Sequence, residues 1–105
     1  MGSWIAVTAS AALPEGAREI LALEDGRQVL VARVAGELVA VEDRCSHEDL
    51  PLSDGDIEGN EIVCPYHGAR FCLKTGEATA APAYDPITVF PVRVTEGVVE
   101  IDTAV

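Results

Sequence analysis

Two short motifs in this chain carry residues suited to metal chemistry. Cys45-Ser46-His47 stands first, and Cys64-Pro65-Tyr66-His67 follows after sixteen intervening residues. Together they use two of the three cysteines and both histidines of the chain. Soft thiolates and borderline imidazoles suit either zinc or an iron–sulfur centre. A lone cysteine or histidine has a structural explanation more often than a ligating one, but two separate Cys/His pairs in so small a chain point to one shared site. A Cys2His2 zinc finger commonly groups its cysteines two to four apart and its histidines three to five apart. Here each motif supplies one of each. That division suits a [2Fe-2S] cluster in which two cysteines bind one iron and two histidines bind the other.

The pattern C-x-H, spacer, C-x-x-H resembles the signature of Rieske proteins, and the resemblance runs on through Gly68 and the flanking strands. It implies that Cys45 and Cys64 bind the inner iron while His47 and His67 bind the outer, more exposed one. Neutral imidazoles in place of two thiolates raise the potential above that of a four-cysteine ferredoxin. Structural zinc is the rival reading of the same four residues.

Departures from the respiratory members of the family are informative. Leu50 and Tyr66 occupy the positions of the disulfide that joins the two loops there, so that bridge cannot form. Ala69 stands where a serine donates a hydrogen bond to a bridging sulfide. Phe71 stands where a tyrosine donates to a cysteine sulfur. Losing hydrogen bonds to cluster sulfur lowers the potential. The segment Phe71-Cys72-Leu73-Lys74-Thr75-Gly76-Glu77 also resembles the ferredoxins of biphenyl- and toluene-type dioxygenase systems. An oxygenase needs a mononuclear iron site as well, typically two histidines and a carboxylate, and here the cluster consumes both histidines. The resemblance therefore implies a carrier rather than an enzyme, with a flavoprotein NAD(P)H-dependent ferredoxin reductase and a terminal aromatic-ring-hydroxylating oxygenase as partners. A Rieske-like small subunit of a nitrite reductase is the alternative within the family; a zinc-stabilised interaction module is the alternative outside it.

The elements that must hold these motifs read as strands. Arg18–Leu23, Gln28–Ala35, Glu37–Glu42, Glu61–Cys64, Arg70–Leu73, Ile87–Val94 and Val98–Asp102 are rich in Val, Ile and Leu, and several alternate. Ala35-Gly36 and Glu96-Gly97 read as tight turns. Pro91 inside the penultimate run points to an edge strand or a bulge. No window sustains a capped 3.6-residue period. The expected fold is all-β: an antiparallel β-sandwich base, residues 1–42 and 87–105, with a small loop-rich cluster-binding subdomain at 43–86 inside a single domain 1–105. Pro82-Ala83-Tyr84-Asp85-Pro86 is expected, by resemblance, to form a third loop shielding the cluster. Cys72 matches no ligand position, and its strand-like neighbours predict a buried, small apolar role. Trp4 is expected at the domain edge.

The chain's 105 residues make one domain, and a hydrophobic fraction of 49% fits a compact globule. Seven Lys and Arg against eighteen Asp and Glu give a formal net charge of −11. Such a chain repels nucleic acid and anionic lipid, leaving basic protein faces as the fitting partners. Residues 42–61 hold eight carboxylates against the single Arg44. Among them Glu48, Asp49, Asp54, Asp56 and Glu58 lie in or just after the first motif, placed either to steer a basic partner or simply to be solvated. The first fifteen residues hold no Lys or Arg, unlike a secretory signal, and Ala6 stands where myristoylation wants Ser or Thr. No apolar run reaches the roughly 18 residues of a membrane span. A cytoplasmic, monomeric electron carrier is the expectation.

Overall fold

The structure is a computed structural model of the chain and describes residues 3–46, 50–66, 68–81 and 83–104. His47, Glu48, Asp49, His67 and Pro82 lie outside the described residues.

Among the described residues, ten antiparallel strands form three sheets. The strands are β1 (Trp4–Ala9), β2 (Arg18–Ala22), β3 (Gln28–Val34), β4 (Glu37–Glu42), β5 (Ile57–Glu58), β6 (Glu61–Val63), β7 (Arg70–Cys72), β8 (Ala78–Ala80), β9 (Val92–Thr95) and β10 (Val98–Asp102). One sheet has the order β1-β10-β9, the second β2-β3-β4, and the third β5-β6-β7-β8. The helical content of the described residues is a single 3-10 turn at Ser10–Ala12. Among the described residues, no helix is long and apolar enough to cross a membrane. The all-β expectation is met.

Strand β3 explains how the layers join. Its neighbouring residues point to opposite faces, and both faces are covered. Leu30, Ala32 and Val34 enter a core shared with the third sheet, whereas Val29 and Val31 enter a core shared with the first. A strand buried on both sides loses the clean polar alternation of a half-exposed one, which is why QVLVARV reads as nearly continuous apolar sequence. The first core holds Phe71 and Leu73; the second holds Phe90 and Ile101. Phe71 and Phe90 are each at most 1% exposed, so truncating either to Ala is expected to cost about 3–5 kcal/mol.

The tight turns take their expected form. Ala35 and Gly36 both have positive φ, 52° and 78°, as do Glu96 and Gly97 at 50° and 79°. Two consecutive left-handed residues match the right-handed twist of the strands they join. The Glu15 carboxylate accepts from both turn amides, Ala35 N–H and Gly36 N–H, each at 2.8 Å.

Several elements depart from the sequence reading. Ile87–Val94 is not one strand: Glu42 N–H donates to Thr88 O and Phe90 N–H to Ala40 O, so residues 88–90 run beside β4. Beyond Pro91, which has no N–H, the chain changes partners and pairs as β9 with β10. Strand β9, which begins just after Pro91, lies at a sheet edge, one of the two placements that Pro91 suggested. Strand β1 is also present where the sequence reading had only an edge-packed Trp4; it pairs with β10 across a bulge between Ala6 and Thr8. Trp4 is half-buried beneath Arg93, whose guanidinium carbon lies 4.0 Å from its ring centroid. The short strands β5 and β8 complete the third sheet.

Candidate metal centre

Strand order places both motifs in connections at one sheet. The first follows β4 and precedes β5; the second is the connection between β6 and β7. In each, the cysteine sits where the chain leaves regular structure, and its backbone N–H crosses to the carbonyl five residues on. Cys45 N–H donates to Leu50 O at 2.8 Å and Cys64 N–H to Ala69 O at 2.6 Å. Gly68 N–H returns to Cys64 O at 3.0 Å, with Gly68 at φ +73°, a conformation that L side chains resist.

Both cysteines are 1% exposed and both belong to one hydrophobic cluster, with Leu52, Ala69, Phe71 and Ala83 around them. None of the chain's three cysteines is in a disulfide. The structure thus brings together the two sulfur donors the sequence singled out. The two imidazole donors, His47 and His67, fall outside the described residues, and the described residues alone contain no cluster of three or more metal-ligating side chains. Two buried soft donors at the roots of matched loops, in a pocket of apolar side chains, fit an iron–sulfur group: thiolate ligands satisfy iron, and an apolar wall keeps water from the inner ligands.

Around these loops, four contacts fix the frame. Ser46 Oγ donates to Asp85 O at 2.6 Å, tying the first connection to the segment between β8 and β9. From β2, Arg18 Nη1 donates to Ser53 O and Gly55 O, both at 2.6 Å. Gly55 packs so closely on Val63 O that a Cβ there would overlap the carbonyl. On the surface, Tyr66 is 49% and Tyr84 83% exposed. Ala69 and Phe71 are fully buried and offer no hydroxyl to this region.

Cys72 corrects the sequence reading. It is half-buried rather than part of the core, because on β7 it faces away from the inward-pointing Phe71. Its thiol is held below the ordinary cysteine range, chiefly by the Thr75 hydroxyl and also by the Lys74 and Thr75 backbone N–H groups, against partial burial and the charge of Glu77. The acidic stretch is partly compensated: Arg70 meets Glu58 at 2.8 Å and Glu61 at 3.5 Å. Asp54 and Asp56 are exposed.

Comparison with known proteins agrees with this geometry. The family described as Rieske [2Fe-2S] domain matches residues 3–91. The 3-phenylpropionate/cinnamic acid dioxygenase ferredoxin subunit of Escherichia coli K12 is 44% identical over 91 residues, covering 86% of this chain and 84% of that protein. Among solved structures, a chain from the complex of reduced oxygenase and oxidised ferredoxin in carbazole 1,9a-dioxygenase superposes with a TM-score of 0.91 at 32% identity, covering 97% of this chain and 94% of that one. The Sphingomonas yanoikuyae B1 ferredoxin gives 0.87 at 32% identity, covering 94% and 97%. This protein therefore belongs to the Rieske [2Fe-2S] family, as a ferredoxin-type electron-transfer component built around a Rieske [2Fe-2S] cluster.

Proposed function

We propose that this chain carries single electrons from a flavoprotein NAD(P)H-dependent ferredoxin reductase to a terminal aromatic-ring-hydroxylating oxygenase, and that Cys45, Cys64, His47 and His67 are its cluster ligands. The observation that carries the reading is the matched pair of loops, each rooted on a cysteine that is 1% exposed in one shared core. Residues 43–86 act as the cluster-binding part and the remaining strands as its base. The chain works in the cytoplasm as a monomer.

When bound, the cluster stores one electron, its formal charge passing from zero to minus one with two thiolate and two neutral imidazole ligands. The chain's own residues do the rest. Cys45 and Cys64 supply anionic sulfur from the buried side, and their apolar neighbours exclude water there. His47 and His67 would supply the neutral nitrogen donors. Ser46, through Asp85, holds the third segment against the first motif. No residue of this chain performs chemistry on an organic substrate.

The test is spectroscopic and then functional. Anaerobically purified protein, reduced with dithionite, is expected to give a [2Fe-2S] EPR signal with a low average g-value, abolished by C45S or C64S and lost or altered by H47A and H67A. Mixed with a ferredoxin reductase, NADH or NADPH and an aromatic-ring dioxygenase, the native protein is expected to support product formation and the variants none. A colourless protein holding stoichiometric zinc and no iron overturns the reading.

A further inference from the structure

Among the described residues, Asp43 is the one charged residue taken into the buried interior, at 6% exposure. Its backbone is anchored to the start of β3, where Asp43 N–H donates to Gln28 O at 2.8 Å. Its carboxylate reaches nine and ten residues along the chain. Oδ1 accepts from Leu52 N–H at 2.7 Å and from Ser53 N–H at 2.8 Å. Cys45 lies inside the stretch so closed, and a second, inner closure is its own bond to Leu50 O. Leu52 is fully buried in the same cluster as Cys45 and Cys64.

The far side of the closure is itself held. Ser53 gives its N–H to Asp43 and receives Arg18 Nη1 on its carbonyl, and Arg18 also reaches Gly55 O. The two peptide groups that flank Ser53 are thus held from both sides, the N–H by the Asp43 carboxylate and the carbonyl by the Arg18 guanidinium. Charge-assisted hydrogen bonds of this kind are stronger and more directional than neutral ones. A neutral Ser, Thr or Asn can also accept backbone N–H groups in a loop, and a buried carboxylate pays a desolvation penalty they do not. The charge therefore has a consequence beyond the turn: fixed two residues from Cys45 in a poorly polarisable interior, it opposes the arrival of an electron.

We propose that Asp43 is a positioning residue of the metal centre, its carboxylate closing the Cys45 loop onto residues 52–53 and its buried negative charge holding the reduction potential down. This rests on Cys45 being a cluster ligand, as argued above. Asp43 acts through the loop and touches no reacting atom.

The experiment compares native protein with D43A, D43N and E100Q, the last removing a half-buried carboxylate on β10 that pairs with Arg93. Iron release to an excess of chelator and the midpoint potential are both read on cluster-loaded protein. D43A is expected to release iron at least several-fold faster than native. D43N keeps an oxygen able to accept both N–H groups, so it is expected to restore native retention while its potential rises. E100Q is expected to change neither. Native retention in D43A, failure of D43N to restore it, or equal potential shifts in D43N and E100Q would each overturn the proposal. Should D43A fail to fold, the D43N and E100Q potentials still decide it. Failure of the ligand reading shows separately, as native protein without iron or as a C45S variant with an unchanged signal.

Discussion

Ser46 Oγ lies 2.6 Å from the carbonyl oxygen of Asp85 and donates to it across 39 residues of sequence. Ser46 is the middle residue of the Cys-Ser-His motif, and Asp85 belongs to the segment that carries the chain from β8 back towards β4. Ala83, two residues before Asp85, is 3% exposed in the cluster that contains both cysteines. The hydroxyl therefore fastens a third segment over the first loop. Without it, residues 83–87 keep the burial of Ala83 and Ile87 and the Ile87 N–H bond to Gly76 O.

Ser46→Ala is expected to cost about 1 kcal/mol, the net worth of one hydrogen bond. Because the segment covers the loops rather than holding a ligand, the loss is expected as faster iron release with little change in potential. Hydrogen exchange is expected to rise in residues 83–90. A potential shift as large as that of D43N would show that Ser46 acts on the centre directly.

How much of this was legible in the sequence depends on what each residue's partner was. Cys45 and Cys64 stood out in the sequence by their motif spacing, and the structure buries both in one cluster; the turns at Ala35-Gly36 and Glu96-Gly97 were legible because few residues tolerate positive φ. Asp43 was not, since a carboxylate in an acidic run looks solvated, and only the fold brings Leu52 and Ser53 onto it. Cys72 was misread because strand-like neighbours do not tell which face of β7 is covered. The break in Ile87–Val94 was half legible: Pro91 announced an irregularity, but the change of partner from β4 to β10 is a property of three sheets. Strand β1 escaped because WIAVTA has neither a clean alternation nor a turn before it.

The absence of hydroxyls at Ala69 and Phe71 predicts a potential near the low end of the Rieske range, roughly −150 mV. Both side chains are fully buried in the core that holds the two cysteines. Installing a hydroxyl with A69S or F71Y is expected to raise the potential, because a donor to cluster sulfur favours the reduced form. The two effects are expected to add in the double variant. Protein-film voltammetry at constant pH measures all four proteins, and a native value near +300 mV would contradict the reasoning.

The acidic surface predicts salt-dependent partner exchange. Asp54 and Asp56 are exposed just after the first motif, whereas Glu58 is engaged by Arg70. With a net charge of −11 the encounter with a basic docking face is expected to be steered, and screening by salt weakens steering. D54N/D56N is expected to slow reduction by a ferredoxin reductase several-fold at about 10 mM salt, where the screening length is near 30 Å, and hardly at all at 1 M. Stopped-flow rates across a salt series test this. Parallel salt profiles for native and variant proteins would reduce these carboxylates to solubilising groups.

Cys72 supplies a pH-dependent prediction that does not involve the cluster. Its thiol is drawn below the ordinary range mainly by the Thr75 hydroxyl, and lowering a thiol's pKa puts more thiolate in solution at any pH beneath the unperturbed value. Alkylation by iodoacetamide follows the thiolate, so its rate at Cys72 is expected to rise to a plateau at lower pH than for a simple thiol. Thr75→Ala removes the largest cause and is expected to move that rise to higher pH. Cys45 and Cys64 are each 1% exposed and are expected to stay unmodified while the fold is intact. The modified peptide, identified by mass spectrometry at each pH, reports Cys72 alone. A rise unmoved by Thr75→Ala would mean that the Lys74 and Thr75 backbone N–H groups hold the thiolate without help from the hydroxyl.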